Sequence, residues 1–255
     1  MKILQEAIDF YKKQITNWVS AIESNQAFSS RLAGNLSHYH TLLAMTYISE
    51  KKFEEVKNMF SICGLIDKFR ILKYNDRLLE AGLNHTCCPI ISDNEELINQ
   101  YAKLRYKAYG KMPDMDIVVS KGRNEIWSNT VQFFMENNTE GVERNLNIIE
   151  MKLLKKLPLP GYFGLLDYHF YKALLSNDKA KMEEVLEQFV SPKIHAKRND
   201  SVLFSQYFSF PATAYTKLAW RKGIEIEVNS SFVPKELLPI IPLDTYEVPY
   251  NFLKY

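Results

Sequence analysis

Leu4, Ile8, Tyr11, Ile15, Trp18 and Ile22 recur at intervals of 4, 3, 4, 3 and 4 residues, the period of a helix with one apolar stripe. Lys12, Lys13, Gln14 and Asn17 fall off that stripe and face water. The pattern ends after about three heptads, too few for a sustained coiled coil, so the stripe has to be covered by other parts of the chain. Comparable patterning predicts further helices at about 30–49 and 53–79. Asp93 or Asn94 then caps a helix whose buried face is Leu97, Ile98, Tyr101, Leu104 and Ala108, with Glu95 and Glu96 at its positive N-terminal end. Helices at about 123–137, 139–156, 163–176, 178–190 and 202–221 complete a set of nine. Val142, Leu146, Ile149 and Leu153 mark the second of these, Pro158 and Pro160 end it, and Gly223 stops the last.

Two stretches read as loops. One is 82–93, which contains Cys87-Cys88-Pro89; the other is 110–122, the natural subdivision of an otherwise single helical domain spanning 1–255. Lys193, His195, Lys197 and Arg198 follow Pro192 and read as a solvated basic loop. At Ile224 the period changes. Ile224, Ile226 and Val228 alternate with Glu225, Glu227 and Asn229, the pattern of a half-buried strand. Such a strand needs a partner, for which Ile117-Val118-Val119 is a candidate, or it lies extended on the helices. The tail from Ser230 carries four prolines and a short helix near 234–238.

The segment 47–56 is echoed at 176–185, with Ala44 matching Ala173 and Phe60 matching Phe189 at the same offset of 129. A weaker copy lies at 133–142, offset 86, while the copy expected at offset 43 falls on the Cys87-Cys88-Pro89 stretch. Both offsets are multiples of 43, a length characteristic of helical-hairpin repeats. The expected architecture is therefore all-α: stacked antiparallel helical hairpins, helical-repeat-like without a strict repeat, plus a short C-terminal β element. Nine Gly and ten Pro in 255 residues disfavour turn-dense β folds.

Charge and composition exclude several functions. Thirty-two Lys and Arg against 30 Asp and Glu give a net +2, which argues against a binder of nucleic acid driven by bulk charge. The apolar fraction of 46% supports a core rather than disorder. No apolar run reaches the length of a signal peptide or a membrane span. Three cysteines, two of them adjacent, make a poor disulfide framework. A reduced cytoplasmic setting follows as the expectation.

The inventory of reactive groups is sparse. His38 and His40 point to opposite sides of a helix and are read as partly exposed polar residues rather than a chelate. His85, Cys87 and Cys88 fall short of a four-ligand zinc set. Asp114 and Asp116 lack the Gly-rich phosphate loop and third acid that a magnesium site would use. No metal, cofactor or catalytic residue is assigned. The aromatic load, 15 Tyr, 15 Phe and 3 Trp, is read mainly as core filling. From Gly223 onward the chain carries a net −3, leaving about +5 on the rest. Acidic and aromatic groups coincide there, so Glu225, Glu227, Asp244, Tyr246 and Glu247 are the candidate partner-contacting residues, suited to a cationic surface.

The same region carries a family pattern: Tyr207-Phe208-Ser209-Phe210-Pro211, Ala214, Leu218-Ala219, Lys222 to Glu227, Ser231, Val233-Pro234, Leu237-Leu238, and Pro242-Leu243 through Tyr246, Pro249-Tyr250 and Phe252-Leu253. It resembles the immunity-49 family of bacterial polymorphic-toxin immunity proteins. The resemblance implies a mostly helical cytoplasmic protein that binds and neutralises the C-terminal domain of a cognate toxin by direct occlusion, with no catalysis, cofactor, nucleic acid or membrane involved. Its motif consists of packing residues, so it transfers no functional residue. Immunity proteins against basic nucleases are often acidic; a chain of net +2 leaves the toxin's chemistry open. The alternative reading is a tetratricopeptide-like helical-repeat adaptor that binds a peptide or protein.

Overall fold

The computed structural model describes residues 2–24, 30–80, 84–156, 164–199 and 206–254. Among them are twelve α-helices and no β-strand. They are α1 (Lys2–Glu23), α2 (Ser30–Ser49), α3 (Phe53–Tyr74), α4 (Asn84–Ser92), α5 (Glu95–Ala102), α6 (Met115–Ser120), α7 (Glu125–Met135), α8 (Thr139–Lys152), α9 (Leu165–Leu175), α10 (Lys179–Phe189), α11 (Pro192–Arg198) and α12 (Phe210–Arg221). The fold is all-α, as the periodicity predicts. Side chains of residues 2–4, the expected prolines at 158 and 160, and the expected helix start at 202 lie outside the described residues.

The sequence echoes do mark helical hairpins. The α2–α3, α7–α8 and α9–α10 pairs turn through Lys51, Asn137 and Asn177, each left-handed with φ of 57°, 57° and 56°. In every case the next amide reaches back five residues: Lys52 to Tyr47, Asn138 to Phe133 and Asp178 to Ala173. With the left-handed residue's own amide donating to Ile48, Phe134 or Leu174, the pair of hydrogen bonds satisfies carbonyls the helix leaves bare. Asn138 and Asp178 then cap the following helix through Gly141 and Lys181 amides. The α10 turn sits three residues earlier than the offset of 129 places it, so echo and hairpin are out of register.

Three short helices occupy segments expected to be loops. Helix α4 includes Pro89 in its interior; it is held by burial of Cys87, Ile90 and Ile91 against α3 and α12, which outweighs the backbone hydrogen bond that proline, lacking an N–H, cannot donate. Helix α6 is capped by the Asp114 carboxylate on the Ile117 amide and buries Met115, Val118 and Val119. Ile117-Val118-Val119 is therefore helical and is no strand partner. Helix α11 starts with Pro192 at its first turn and buries His195, whose ring stacks on Phe232 at 4.0 Å. The basic cluster is thus partly structural. Conversely, α3 ends at Tyr74 and α5 at Ala102, leaving Ala108 exposed.

The centre of the molecule is α3 and α12. Residues Val56–Asp67 of α3 and Phe210–Ala219 of α12 are buried around the whole helix. Both carry charge into the interior. Asp93, left-handed after α4 at φ 57°, is fully buried and receives Lys57 at 2.8 Å, Lys217 at 2.9 Å and Arg221 at 3.6 Å. Arg221 also pairs with Glu95. Asp167 in α9 accepts two bonds from Arg198 at 2.8 and 2.9 Å, and others from the Tyr215 hydroxyl and the Gly164 amide. Burial alone would raise this carboxyl; the adjacent guanidinium and the donated bonds outweigh it and hold it below the ordinary range. Around the pair, Phe170 stacks on Tyr215 at 4.5 Å and Phe189 meets Tyr215 edge-on, so the aromatic residues fill the interior as expected.

A carboxylate placed among buried cations cannot be removed cheaply. Asp93→Asn is expected to destabilise the fold by about 3–5 kcal/mol, because Lys57 and Lys217 lose their counter-charge. Adding Lys217→Met should restore part of that loss. Urea melts of the single and double variants check this; additive destabilisation would reject the coupling.

Candidate functional site

The C-terminal segment that carries the candidate residues has almost no regular structure, so its backbone groups need partners elsewhere. Residues 224–229 alternate as the sequence indicates, with Ile226 and Val228 buried and Glu225, Glu227 and Asn229 exposed. They do not form the expected β element. The Glu227 and Asn229 amides donate to the Glu183 and Glu187 carboxylates of α10 at 2.9 and 2.8 Å, and the Ile226 carbonyl accepts from the Trp220 indole at 3.0 Å. Side chains thus take the place of a neighbouring strand.

Beyond Pro234 the chain becomes a strap across the α2–α4 region. The Lys217 ammonium donates to the Leu237 carbonyl at 2.5 Å and the Lys57 ammonium to that of Ile241 at 2.7 Å. The cations that meet at Asp93 therefore also hold the strap. Tyr246 donates its hydroxyl to the Ser92 carbonyl at 2.7 Å and accepts from the Leu243 amide at 3.1 Å. The Glu247 amide donates to Asn58 at 3.0 Å. The Tyr250 hydroxyl and His40 Nε2 are hydrogen-bonded at 2.6 Å, and Phe252 packs on Phe69 with ring centroids 5.2 Å apart.

The five candidate residues thus divide. Glu225 and Glu227 belong to the α10 side, where Glu183 and Glu187 join them; the i, i+4 spacing of that pair was the signal available in the sequence. Asp244, Tyr246 and Glu247 belong to the strap. Asp244 and Glu247 are exposed, together with Ile241 and Val248, so the outer face of the strap is acidic and apolar. Tyr246 is half-buried and anchors the segment with its hydroxyl.

One concave region borders the C-terminal segment and another lies at the end of α3. A cleft of about 500 Å³ opens between the α2–α3 turn and residues 229–236, bordered by Lys51, Phe53, Tyr207 and Pro234. A smaller one, about 310 Å³, lies between the end of α3 and the 107–112 turn, bordered by Lys73, Tyr74, Lys107, Tyr109 and Met112.

Groups with catalytic potential are taken up elsewhere. His85 and Asp67 form a pair at 2.6 Å. The thiols beside it are buried: burial pushes Cys87 up, and a hydrogen bond to Cys63 together with burial pushes Cys88 up, so both stay protonated. Asp114 is a helix cap and Asp116 pairs with Arg105. No cluster of three metal-ligating side chains occurs among the described residues, and no helix there is long and apolar enough to cross a membrane. His38 is exposed, but His40 is buried, a correction to the expectation that both are partly exposed.

Burial lowers His40 from 6.5 to about 3, so it is neutral when folded, whereas the unfolded chain protonates it near 6.5. The unfolded state therefore binds more protons between those values. Stability contributed here is complete above pH 6.5 and falls as pH drops, with a slope of up to about 1.4 kcal/mol per unit. Urea midpoints between pH 7 and 5 should fall in the parent protein and fall less steeply in His40→Gln; equal slopes would reject the assignment.

A family model, immunity protein 49, matches residues 26–237. The match takes in α2–α12 and reaches far N-terminal of the residues that carried the resemblance, while Pro242–Leu253 lies beyond it. No curated relative and no solved structure matches the chain. A match across that share of the sequence has one consequence: the chain belongs to the immunity protein 49 family.

Proposed function

We propose that this protein neutralises a cognate bacterial toxin by binding the toxin's C-terminal domain and occluding it. The observation that carries the reading is the family match across residues 26–237. The chemistry of the interior agrees with it. Asp93, Asp167, Glu125, Lys217 and Arg198 are all engaged in ion pairs that tie separate segments together, so these charged groups of the core have structural employment. Inhibition by a tight complex requires no turnover, metal or cofactor; it requires a rigid complementary surface of standard size, about 800 Å² on each partner. An intracellular, cytoplasmic site of action is part of the same proposal.

The contact is assigned to the acidic outward faces of the C-terminal segment. Glu225, Glu227, Asp244 and Glu247 present carboxylates to solvent on a backbone fixed at both ends, and Tyr246 holds the strap in place. A cationic toxin surface is the matching partner. The repeat-adaptor alternative asks for an open concave stack of hairpins; a centre in which α3 and α12 are buried around the whole helix does not favour it.

Co-expression with the C-terminal domain of the toxin encoded beside it is expected to restore growth and yield a complex that co-purifies. Undiminished toxicity, or rescue without a complex, would overturn the proposal. Charge reversal at Glu225 with Glu227, or at Asp244 with Glu247, is expected to weaken affinity on the order of tenfold and to reduce its salt dependence. Unchanged affinity for both pairs would remove these residues from the contact.

A further inference from the structure

The strap follows one side of α3. Glu247 is held on Asn58 and Phe252 on Phe69, eleven residues apart and therefore on nearly the same helical face. Three and four residues further along lie Leu72 and Lys73, on that same side but past the strap. Leu72 is 64% exposed, an unusual fate for leucine on a helix whose middle is entirely buried. The opposite wall is the turn 108–112. Asn75 grips this segment, accepting from the Lys107 amide at 2.7 Å and donating to the Lys107 carbonyl at 2.8 Å. Tyr109 and Met112 exchange backbone bonds of 2.9 and 3.0 Å around Gly110, whose φ is 58°. The turn is thus rigid, yet Tyr109 and Met112 are 78% and 56% exposed. Between the turn and the end of α3 lies the 310 Å³ hollow, lined by Lys73, Tyr74, Lys107, Tyr109 and Met112, with Leu72 exposed next to it in the chain.

The charge here is the reverse of that on the strap. Lys73, Lys107 and Lys111 are exposed, and none forms an ion pair with a described residue. Three lysines and three large apolar side chains are thus exposed together on the end of α3 and the neighbouring turn. Such a surface complements a polypeptide that brings both carboxylates and an apolar side chain. Beside the rings of Tyr74 and Tyr109, Leu72 and Met112 offer aliphatic packing, which the apolar side chain of a polypeptide matches better than a base does. From Asn58 to Lys73 the helix rises about 22 Å, within the roughly 30 Å breadth of an interface burying about 800 Å² per partner.

We propose that the exposed end of α3 and the 107–112 turn form the basic, apolar half of a two-signed toxin-binding face, docking an acidic, apolar-bearing element of the toxin domain, while the strap's Asp244 and Glu247 meet its cationic part. This rests on the proposed immunity function and names the surface and the chemistry of its partner. Two-signed complementarity fixes orientation, since the partner rotated by half a turn would set like charges against each other.

The test uses the full chain and the separately produced C-terminal toxin domain, with affinity measured at low and high salt. Lys73→Glu/Lys107→Glu/Lys111→Glu is expected to weaken binding tenfold or more without lowering the melting temperature. Tyr109→Ser/Met112→Ser should weaken binding at every salt concentration, because it removes apolar contact. Parent-like affinity in both variants overturns the inference while leaving the immunity function intact; failure of the parent chain itself to bind overturns both. Two other results also reject it: retained toxin binding by the triple variant with loss of binding to a single-stranded RNA oligomer, and salt-sensitive self-association of the parent chain that the triple variant abolishes.

Discussion

Asp93 is one carboxylate with three cations around it, drawn from the two central helices. Lys57 belongs to α3, while Lys217 and Arg221 belong to α12; Asp93 itself terminates α4. Lys57 and Lys217 also donate hydrogen bonds to carbonyls of the C-terminal strap. Burial lowers Lys217 to about 8, against the pull of Asp93, a measure of how far this group has left water. Buried pairs of this kind are no cheap source of stability, since desolvation consumes much of the attraction. Their value lies in geometry: two charged helices and an irregular segment can satisfy one another in only one arrangement.

That arrangement explains how a chain with little regular structure after Arg221 presents a defined surface. Strands normally settle their backbone bonds with other strands. Here Glu183 and Glu187, Trp220, Lys57, Lys217, Asn58 and Tyr246 provide the partners. Because the inward side of the strap is consumed by these contacts, its outward side is left with Asp244, Glu247, Ile241 and Val248. The segment is anchored at many points, so little conformational entropy remains to be lost on binding.

The membership in an immunity family accords with this division of labour. Ionisable groups of the interior tie elements together, while Asp244 and Glu247 on the strap and Lys73, Lys107 and Lys111 near the end of α3 face outward. Cysteines that invited a zinc or nucleophile reading are thiols in the α3–α4 contact, held protonated by their surroundings. Basic residues after Pro192 that invited a solvated loop instead supply Arg198 to Asp167.

Local periodicity determined a good deal. The stripes of α1 and α8, the hairpin turns before Phe53, Thr139 and Lys179, the cap at Asn94 and the inward alternation of Ile226 and Val228 were all legible, because each depends on neighbours within a turn or two of chain. The family pattern was legible for a similar reason, as a run of packing residues. What escaped was set by distant partners. Helix α4 survives Pro89 only because α3 and α12 enclose it, and residues 224–229 stay unpaired as a strand only because α10 offers carboxylates in place of another backbone. Polar residues gave no warning that α3 and α12 lie at the centre: Lys57, Asp67 and Lys217 look like solvent-facing positions until the fold supplies Asp93 and His85. A sequence fixes which side of a helix is apolar, but whether a charge on it is exposed or buried depends on a counter-charge that only tertiary structure brings within reach.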